Sequence, residues 1–141
     1  MVKSINPYLN FQGECEEAFK LYKSVFGGEF TMLQKFSEAP KEAGMPPMKG
    51  DGILHVTLKF GDNILIGSDA PIEMVKIKEG NNFNVSITAE SEKEVDKIFN
   101  GLSKGGKVGM KLGKTFWGAY FGMCTDKFGI NWMVSYEYPK K

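Results

Sequence analysis

The sequence contains one pattern of residues twice, and this internal repeat constrains the fold more than any other feature. FGDNILI, from Phe60 to Ile66, aligns with FGINWMV, from Phe128 to Val134, so that the FG turn, the asparagine and the apolar alternation coincide. Upstream, NPYLNF at residues 6–11 aligns with NFNVSI at residues 82–87. Self-similarity of this kind is the signature of a structural unit that is used more than once. The chain is therefore predicted to contain one unit twice.

The length of the chain sets how these units are organised. With 141 residues, of which 42% are hydrophobic, the chain can bury one good core and is too short for two ordinary independent domains. We therefore predict a single domain, residues 1–141, made of two modules at about 4–69 and 82–137. A linker at 70–81 would join them.

Charge and apolar patterning narrow the classes of function. A net charge of +1 provides no broad basic field, so we expect neither nucleic-acid nor membrane-surface binding. No apolar run is long enough to span a bilayer, and MVKSINPYLNF lacks the pattern of a signal peptide. Cys15 and Cys124 lie far apart and have no CxxC spacing, which favours two reduced thiols. We expect a cytoplasmic protein.

Periodicity predicts the same order of elements in both repeats. In the first repeat, strands are predicted at 5–11, 30–36, 53–60 and 63–68, with a helix at 14–26. In the second, a strand at 82–88 precedes a helix that begins at the capping box of Ser91 and Glu94 and ends at Gly105-Gly106. A short strand at 107–112 and two strands within 115–135 complete it. The predicted fold class is α+β: tandem βαβββ modules with a mixed, curved sheet that encloses a cleft.

Ser37 to Gly52 is the longest predicted connection. It contains three prolines and three glycines, which are too many for regular structure, and its centre, MPPM, is apolar. Two interpretations remain open, a lid over a site and a mobile loop in solvent.

Each helix can cover only one face of its short sheet, so the opposite faces must meet something else. If the two units curl toward each other, within one chain or across a dimer, these opposite faces enclose a cleft. The residues predicted to face the helices are Leu9, Phe11, Ile64, Ile66, Val85, Ile87, Trp132 and Val134. Those predicted to face the cleft are Asn6, Tyr8, Asn10, His55, Leu65, Asn82, Asn84, Ser86, Asn131 and Met133. A face rich in amides suits a polar small molecule.

Two segments of the chain resemble a known protein family. NPYLNFQGECEEAFKLYKSVFGGEF, at 6–30, and TFWGAYFGMCTDKFGINWM, at 115–133, are similar to the PhnB-like group of the vicinal oxygen chelate superfamily. That superfamily includes glyoxalase I, extradiol dioxygenases, fosfomycin-resistance enzymes and bleomycin-resistance proteins. The resemblance implies the doubled βαβββ fold and a small-molecule ligand, and we expect a homodimer.

The resemblance also implies where a metal ion would lie. Metal-dependent members of the superfamily hold a divalent ion near the start of each unit's first strand and on its last strand. In this chain those positions fall on Asn6 (or Pro7), Leu65, Asn82 and Met133. Amides bind divalent ions weakly, leucine does not bind them, and a thioether favours copper(I). We therefore predict no metal ion and no cofactor at the usual place.

His55 is the single histidine, so its side chain is the one whose unperturbed pKa lies near neutrality. On the predicted strand it shares a face with Ile53, Thr57 and Lys59. As a general acid or base it would need a partner such as Tyr8, Asp69 or Asp126. Alternatively, His55 only bonds a neighbouring backbone group. We retain His55 as the candidate catalytic residue.

Aromatic and amide side chains supply the candidate ligand contacts. Trp117, Tyr120, Phe121 and Trp132 could form an aromatic wall, and Trp117 is the one expected to face the cleft, because it lies at a strand entrance among glycines. The predicted ligand-binding residues are Asn6, Tyr8, Asn82, Asn84, Trp117 and Met133.

The predicted function is therefore binding of a small polar or aromatic molecule in a metal-free cleft. An alternative is an enzyme of the superfamily, with His55 as acid or base or with a metal ion held by an unexpected set of ligands. A third is a structural protein whose cleft is only a dimer seam. Methyl transfer is not indicated, because no glycine-rich strand-turn-helix fingerprint appears and GGKVG, at 105–109, follows a predicted helix.

Overall fold

The computed structural model describes residues 1–39, 51–72 and 74–140. The chain divides into two compact units, Met1–Lys78 and Glu79–Lys141. The division falls inside the segment that was predicted to be a linker.

Each unit consists of a strand, a helix and three further strands. In the first unit these are β1 (Tyr8–Phe11), α1 (Cys15–Phe26), β2 (Glu29–Lys35), β3 (Ile53–Phe60) and β4 (Asn63–Asp69). In the second they are β5 (Val85–Thr88), α2 (Glu92–Ser103), β6 (Lys107–Lys114), β7 (Ala119–Thr125) and β8 (Asn131–Glu137). A 3-10 turn at Phe36–Glu38 follows β2. The predicted α+β class and the repeated βαβββ order are confirmed.

Both sheets are mixed and have the same topology. Their strand orders are β1-β4-β3-β2 and β5-β8-β7-β6. The first strand of each unit pairs in parallel with the last, so that Tyr8 lies opposite Ile66 and Ser86 lies opposite Met133. The remaining pairs are antiparallel. The residues that lie opposite one another on neighbouring strands share a face of the sheet, which allows the two faces to be assigned.

Helix α1 begins without a side-chain cap from its own N-cap residue, Glu14. A buried carboxylate from β4 takes that role: one oxygen of Asp69 accepts hydrogen bonds from the N–H groups of Gly13 at 2.6 Å and Cys15 at 3.1 Å. Its other oxygen accepts from the N–H of Ile53 at 2.8 Å. The negative charge also suits the positive end of the helix dipole. Asp69 therefore connects α1, β3 and β4.

Helix α2 begins at the predicted capping box. The Ser91 hydroxyl accepts a hydrogen bond from the N–H of Glu94 at 3.1 Å. The Glu94 carboxylate in turn accepts from the N–H of Glu90 at 3.3 Å, one residue before the cap. One stripe of the helix is buried against its sheet, and it consists of Val95, Ile98, Phe99 and Leu102.

One glycine in each unit, Gly67 of β4 and Gly122 of β7, lets the helix approach its sheet closely. A Cβ atom on Gly67 of β4 would overlap Cε1 of Phe19 in α1. In the second unit, a Cβ atom on Gly122 of β7 would lie 2.9 Å from Cε2 of Phe99 in α2. Each glycine therefore makes room for an aromatic ring of the helix above it.

The face assignment predicted for β4 is wrong. Leu65 is only 3% exposed and lies opposite Leu58, and Gly67 under Phe19 lies two residues further on, so Leu65 faces α1. Ile64 and Ile66 therefore face away from the helix. The two repeats differ in turn length: two residues join β3 to β4, whereas residues 126–130 join β7 to β8. Aligning the FG turns shifts the register by one residue, and such a shift exchanges the two faces of a strand.

A bulge corrects a second assignment. Gln34 lies opposite His55, whereas the next residue, Lys35, lies opposite Ile53. Because β3 contributes an extra residue there, Ile53 turns toward α1, where it lines a small cavity together with Phe19. The prediction that His55 shares a face with Ile53 is therefore wrong. His55 lies on the face that points away from the helix.

The predicted lid at residues 37–52 falls largely outside the described residues, and it stays a prediction. Its two ends are described and lie together. The Asp51 carboxylate accepts hydrogen bonds from the N–H of Ser37 at 3.2 Å and from its hydroxyl at 2.9 Å. The N–H of Phe36 donates to the carbonyl of Gly52 at 3.0 Å.

Within the described ranges, neither helix is long and apolar enough to cross a bilayer. Cys15 and Cys124 are both free, as predicted, and both are buried.

Candidate functional site

The face of the first sheet that points away from α1 carries a mixture of polar and apolar side chains. It comprises Tyr8 and Asn10 of β1, Ile66 and Ser68 of β4, His55 and Thr57 of β3, and Met32 and Gln34 of β2. The opposite face packs against α1 through the buried Leu9, Phe11, Val56 and Leu58. One face thus forms the core, and the other is available for contacts of a different kind.

Two side chains on this face, Thr57 and Tyr8, contact His55. Its Nε2 atom is hydrogen-bonded to the Thr57 hydroxyl at 3.0 Å, and the tautomer decides which of them donates. The ring of Tyr8 meets the imidazole edge to face, with centroids 6.0 Å apart and an interplanar angle of 62°. Tyr8 is 47% exposed, and His55 is half-buried. The group offers an imidazole, a hydroxyl and a phenol at one place on the sheet.

The carboxylates suggested as partners for His55 have other roles. Asp69 is occupied by the three backbone N–H groups described above. Asp126 lies in the second unit, where it accepts hydrogen bonds from the backbone of its own loop and from the indole of Trp132. Of the suggested partners, Tyr8 is the one that contacts the imidazole.

The corresponding face of the second sheet is ordered into three rows across the strands. The middle row is Met110, Met123 and Met133, which lie directly opposite one another on β6, β7 and β8, followed by Ser86 on β5. On one side is the row Lys107, Thr125 and Asn131. On the other is the row Gly113, Phe121, Ser135 and Thr88. Across this face, the row of Lys107 provides hydrogen-bond donors, the middle row provides thioethers, and the row of Phe121 contains an aromatic ring.

Trp117 lies in the turn between β6 and β7, next to the aromatic row. The turn is closed by Thr115, whose hydroxyl accepts from the N–H of Ala119 at 3.1 Å, and by Gly118, whose φ of +91° favours glycine. The indole is 58% exposed and meets the Phe121 ring edge to face at 5.8 Å. Of the proposed aromatic wall, only this pair lies together on the open side, since Trp132 is buried toward α2 and Tyr120 bonds the α2 residue Asp96.

The predicted site residues fall into three groups. Tyr8 contacts His55, Met133 belongs to the methionine row, and Trp117 contacts Phe121. The three asparagines precede the strands in which they were predicted to lie. Asn6 is two residues before β1 and donates to the Ser4 hydroxyl at 3.2 Å, Asn82 is exposed in a bend, and Asn84 is half-buried just before β5.

Thr57 was predicted to share the face of His55, because it lies two residues further along an alternating strand, and the pairing of β3 confirms this. Met110 and Met123 were not predicted as site residues. The methionines become a row only through the register of β6, β7 and β8, for which the sequence contains no local signal.

Neither thiol is suited to nucleophilic chemistry. Burial, and next the negative charge of Asp69, raises the pKa of Cys15. Burial, and next the charge of Asp126, raises the pKa of Cys124 to about 11. Because the thiolate is the reactive form, both groups are largely unreactive at neutral pH.

The residues at the superfamily's metal positions do not fit a divalent ion. Asn6 and Asn82 are neutral amides, and Met133 is a thioether. Leu65 points toward α1, and its neighbours on the face that points away from the helix, Ile64 and Ile66, are aliphatic as well. Across residues 1–39, 51–72 and 74–140, no group of three or more His, Cys, Asp or Glu side chains could hold a metal ion. We derive no chemistry through a metal at this place.

The fold defines the class of protein. The chain is similar over 93% of its length, and 97% of the other chain, to a glyoxalase/bleomycin resistance/dioxygenase family enzyme from Burkholderia phytofirmans, with a TM-score of 0.61 and 15% identity. At that identity the likeness shows the fold. The chain has the architecture of the glyoxalase/bleomycin resistance/dioxygenase superfamily.

Within that class, the chain belongs to the family described as 3-demethylubiquinone-9 3-methyltransferase, whose model matches residues 3–135. It is 30% identical to the protein YjdN of Escherichia coli over 140 residues, 93% of each chain. It is 38% identical to protein PA1353 of Pseudomonas aeruginosa, covering 96% and 98% of the two chains with a TM-score of 0.87. The PhnB protein of Bacillus cereus is 26% identical, with a TM-score of 0.79 and 95% and 99% covered. The resemblance to the PhnB-like group is confirmed.

Proposed function

We propose that this protein binds a small polar or aromatic molecule on the sheet faces that point away from the helices, without a divalent metal ion. One observation carries the proposal. In each unit one face of the sheet forms the core, while most side chains on the other are half-buried or exposed and of mixed chemistry. Phe121 and Ala119 are the buried ones on that face of the second sheet. Ligand sites combine apolar surface with a few placed polar groups in this way.

The first unit supports the proposal through the group around His55. The imidazole and the Thr57 hydroxyl are already hydrogen-bonded to each other, so their orientation is set before a ligand arrives. Tyr8 adds an exposed phenol and a ring surface. Such an arrangement recognises a polar molecule at little cost in ordering side chains.

Methyl transfer, which the family description names, has less support in these residues. Nucleotide cofactors are commonly held where a strand leads through a glycine-rich turn into a helix. In this chain the glycine-rich segment at 105–109 lies at the end of α2 and leads into β6, which is the reverse order.

An enzyme that uses His55 as acid or base is the second candidate, favoured by the bond between His55 and Thr57 on an open face. Its test uses any compound that stabilises the protein. In a sequestering protein, His55→Ala and His55→Gln should both retain most binding, with no conversion by mass spectrometry in the wild type. If the wild type converts the compound and both variants bind but fail to convert it, the enzyme reading replaces ours.

The proposal itself is tested by elemental analysis of the purified protein together with thermal-shift scans against divalent metals and small metabolites. We expect no stoichiometric metal ion and stabilisation by an organic compound alone. A near-stoichiometric metal ion with matching stabilisation by that metal would contradict the proposal.

We further propose that the protein is a homodimer of the cytoplasm. The two free thiols support a reducing compartment. Sedimentation at several concentrations measures the association state, and a monomer at all of them would refute the dimer.

A further inference from the structure

The methionine row of the second sheet is an uncommon composition for paired strands, which favour β-branched and aromatic residues. Met110, Met123 and Met133 are mutual partners on three adjacent strands. Directly paired residues on one face have Cβ atoms about 5 Å apart, so the three side chains are neighbours. Met110 is 49% exposed, and the other two are half-buried. The row is an accessible surface of flexible, polarisable thioethers.

One edge of this row is aromatic. Phe121 neighbours the row on β7 and is 9% exposed, and the indole of Trp117, which is 58% exposed, contacts its ring. Trp117 therefore provides most of the accessible aromatic surface at this edge. Thioethers and aromatic edges both make favourable contacts with a flat π system.

The other edge of the row provides hydrogen-bond donors. Lys107 is exposed and lies opposite Thr125, which lies opposite Asn131. The Thr125 hydroxyl donates to Oδ1 of Asn131 at 2.7 Å, and Nδ2 of Asn131 donates to the carbonyl of Gly80 at 2.7 Å. These bonds orient the amide and leave its second N–H available. Together with the Lys107 ammonium, this edge suits an anionic oxygen.

We propose that this face of the second sheet binds a planar aromatic carboxylate. The ring lies on the three methionines with its apolar end toward Phe121 and Trp117, and the carboxylate points toward Lys107 and Asn131. This inference rests on the proposed binding function and adds the unit that holds the ligand and the chemical class of that ligand.

The test uses full-length protein labelled at the methionine methyl groups with carbon-13, and 2-naphthoate as the probe. Ring currents move the signals of methyl groups that touch the naphthalene. We expect the signals of Met110, Met123 and Met133, assigned from single Met→Leu variants, to shift with one common dissociation constant. The chemical shift of Met32, which lies on the equivalent face of the first sheet, should not change.

Two related compounds separate the contributions of the ring and the charge. Because 2-naphthalenemethanol lacks the carboxylate and cyclohexanecarboxylate lacks the aromatic ring, we expect both to bind more weakly than 2-naphthoate. Equal affinity of all three compounds would overturn the proposal.

Variants test the two edges of the contact. Lys107→Gln should weaken the binding of 2-naphthoate about three- to tenfold, as expected for the loss of one exposed ion pair. The affinity for 2-naphthalenemethanol should not change. Lys114→Gln is the matched control, because it lies on the same strand but on the opposite face, beside Tyr120. Met123→Leu conserves volume and removes the sulfur, so it should weaken both naphthyl compounds about two- to tenfold. Unchanged melting temperatures show that the variants are folded.

The outcomes also distinguish this inference from the proposed function. If 2-naphthoate stabilises the protein and shifts Met32 but none of the three row signals, the inference fails and the proposed function stands. If neither 2-naphthoate nor any compound of the metabolite panel stabilises the protein or shifts a methyl signal, both fail.

Discussion

The strongest stability prediction concerns the buried carboxylate of Asp126, which is 3% exposed. One of its oxygens accepts hydrogen bonds from the N–H groups of Phe128 at 2.9 Å and Ile130 at 3.1 Å. The other accepts from Nε1 of Trp132 at 2.9 Å. The change Asp126→Asn conserves the volume of the side chain but replaces one acceptor oxygen by an NH2 group. In either orientation of the amide, that NH2 group faces an N–H donor.

The magnitude follows from the bond that is lost. A hydrogen bond to a charged group contributes about 1.5–3 kcal/mol, and a buried donor left unsatisfied costs about 1–3 kcal/mol. Trp132 is buried, so water does not reach its N–H in the folded state. Because the two quantities overlap, we expect Asp126→Asn to lower the free energy of unfolding by about 2–4 kcal/mol.

The assay is urea unfolding followed by tryptophan fluorescence, which reports the second unit because Trp117 and Trp132 both lie there. We expect a lower midpoint with an unchanged slope. The exposed Glu137→Gln on β8 is the control and should change stability by less than about 0.5 kcal/mol.

A double-mutant cycle isolates the bond between the carboxylate and the indole. Trp132→Phe removes the indole N–H, so its effect and that of Asp126→Asn should be non-additive by about 1–2 kcal/mol. A loss below about 0.5 kcal/mol for Asp126→Asn, or additive effects of the two changes, would refute the reasoning.

Three further predictions test other features. Gly67→Ala should lower the free energy of unfolding by about 1–3 kcal/mol, because its Cβ atom would overlap the Phe19 ring. Unfolding in urea is followed here by circular dichroism, because Gly67 lies in the first unit and both tryptophans lie in the second. Gly113→Ala, with nothing within 4 Å of its Cβ atom, should cost far less, and equal losses would contradict the close approach. Ser91→Ala should cost about 1 kcal/mol by the same assay, since it removes the cap of α2, and a neutral result would show that the cap contributes little. At pH 8, iodoacetamide should alkylate Cys124 about a hundredfold more slowly in the folded protein than in the urea-unfolded protein, because the pKa of Cys124 is raised to about 11 in the fold. The rate in the folded protein, measured by mass spectrometry, should rise with pH. Similar rates in both states would contradict this prediction.

Much of the fold was predictable because its signals are local. The alternation in residues 53–60, the helical stripe of α2 and the capping box at Ser91 each act over a few residues. The duplicated order of elements followed from these signals, and the resemblance to the PhnB-like group agreed with it.

The register of β4 was not predictable from the same signals. Ile64, Leu65 and Ile66 are consecutive apolar residues, so alternation does not show which of them face the helix. The repeat alignment chose the wrong pair, because the turn before β4 is three residues shorter than the connection before β8. Only the contact between Gly67 and Phe19, far apart in the chain, determines the answer.

The roles of the buried aspartates and of the methionine row depend on such long-range contacts too. Asp69 caps a helix that begins more than fifty residues earlier in the chain. The residues next to Asp69 contain no signal that predicts this cap. Met110, Met123 and Met133 are separated by different numbers of residues, so no period joins them. The single histidine was identifiable from the sequence because it is unique, and both Thr57 and Tyr8 were placed near it. Only the register distinguishes Tyr8 from the other two suggested partners, Asp69 and Asp126.

The parallel pairing of the first and last strands has a consequence for synthesis. Because Tyr8 pairs with Ile66, β1 has no strand partner until β4 has left the ribosome. Antiparallel hairpins close early, whereas a pairing across a whole unit must wait for the loop between its strands to be ordered. The first unit becomes complete at Asp69, whose side chain also caps α1, so that unit can fold while the second is still being translated. Nascent chains stalled far enough beyond Asp69 for β4 to have left the exit tunnel should therefore already resist proteolysis within α1, β3 and β4.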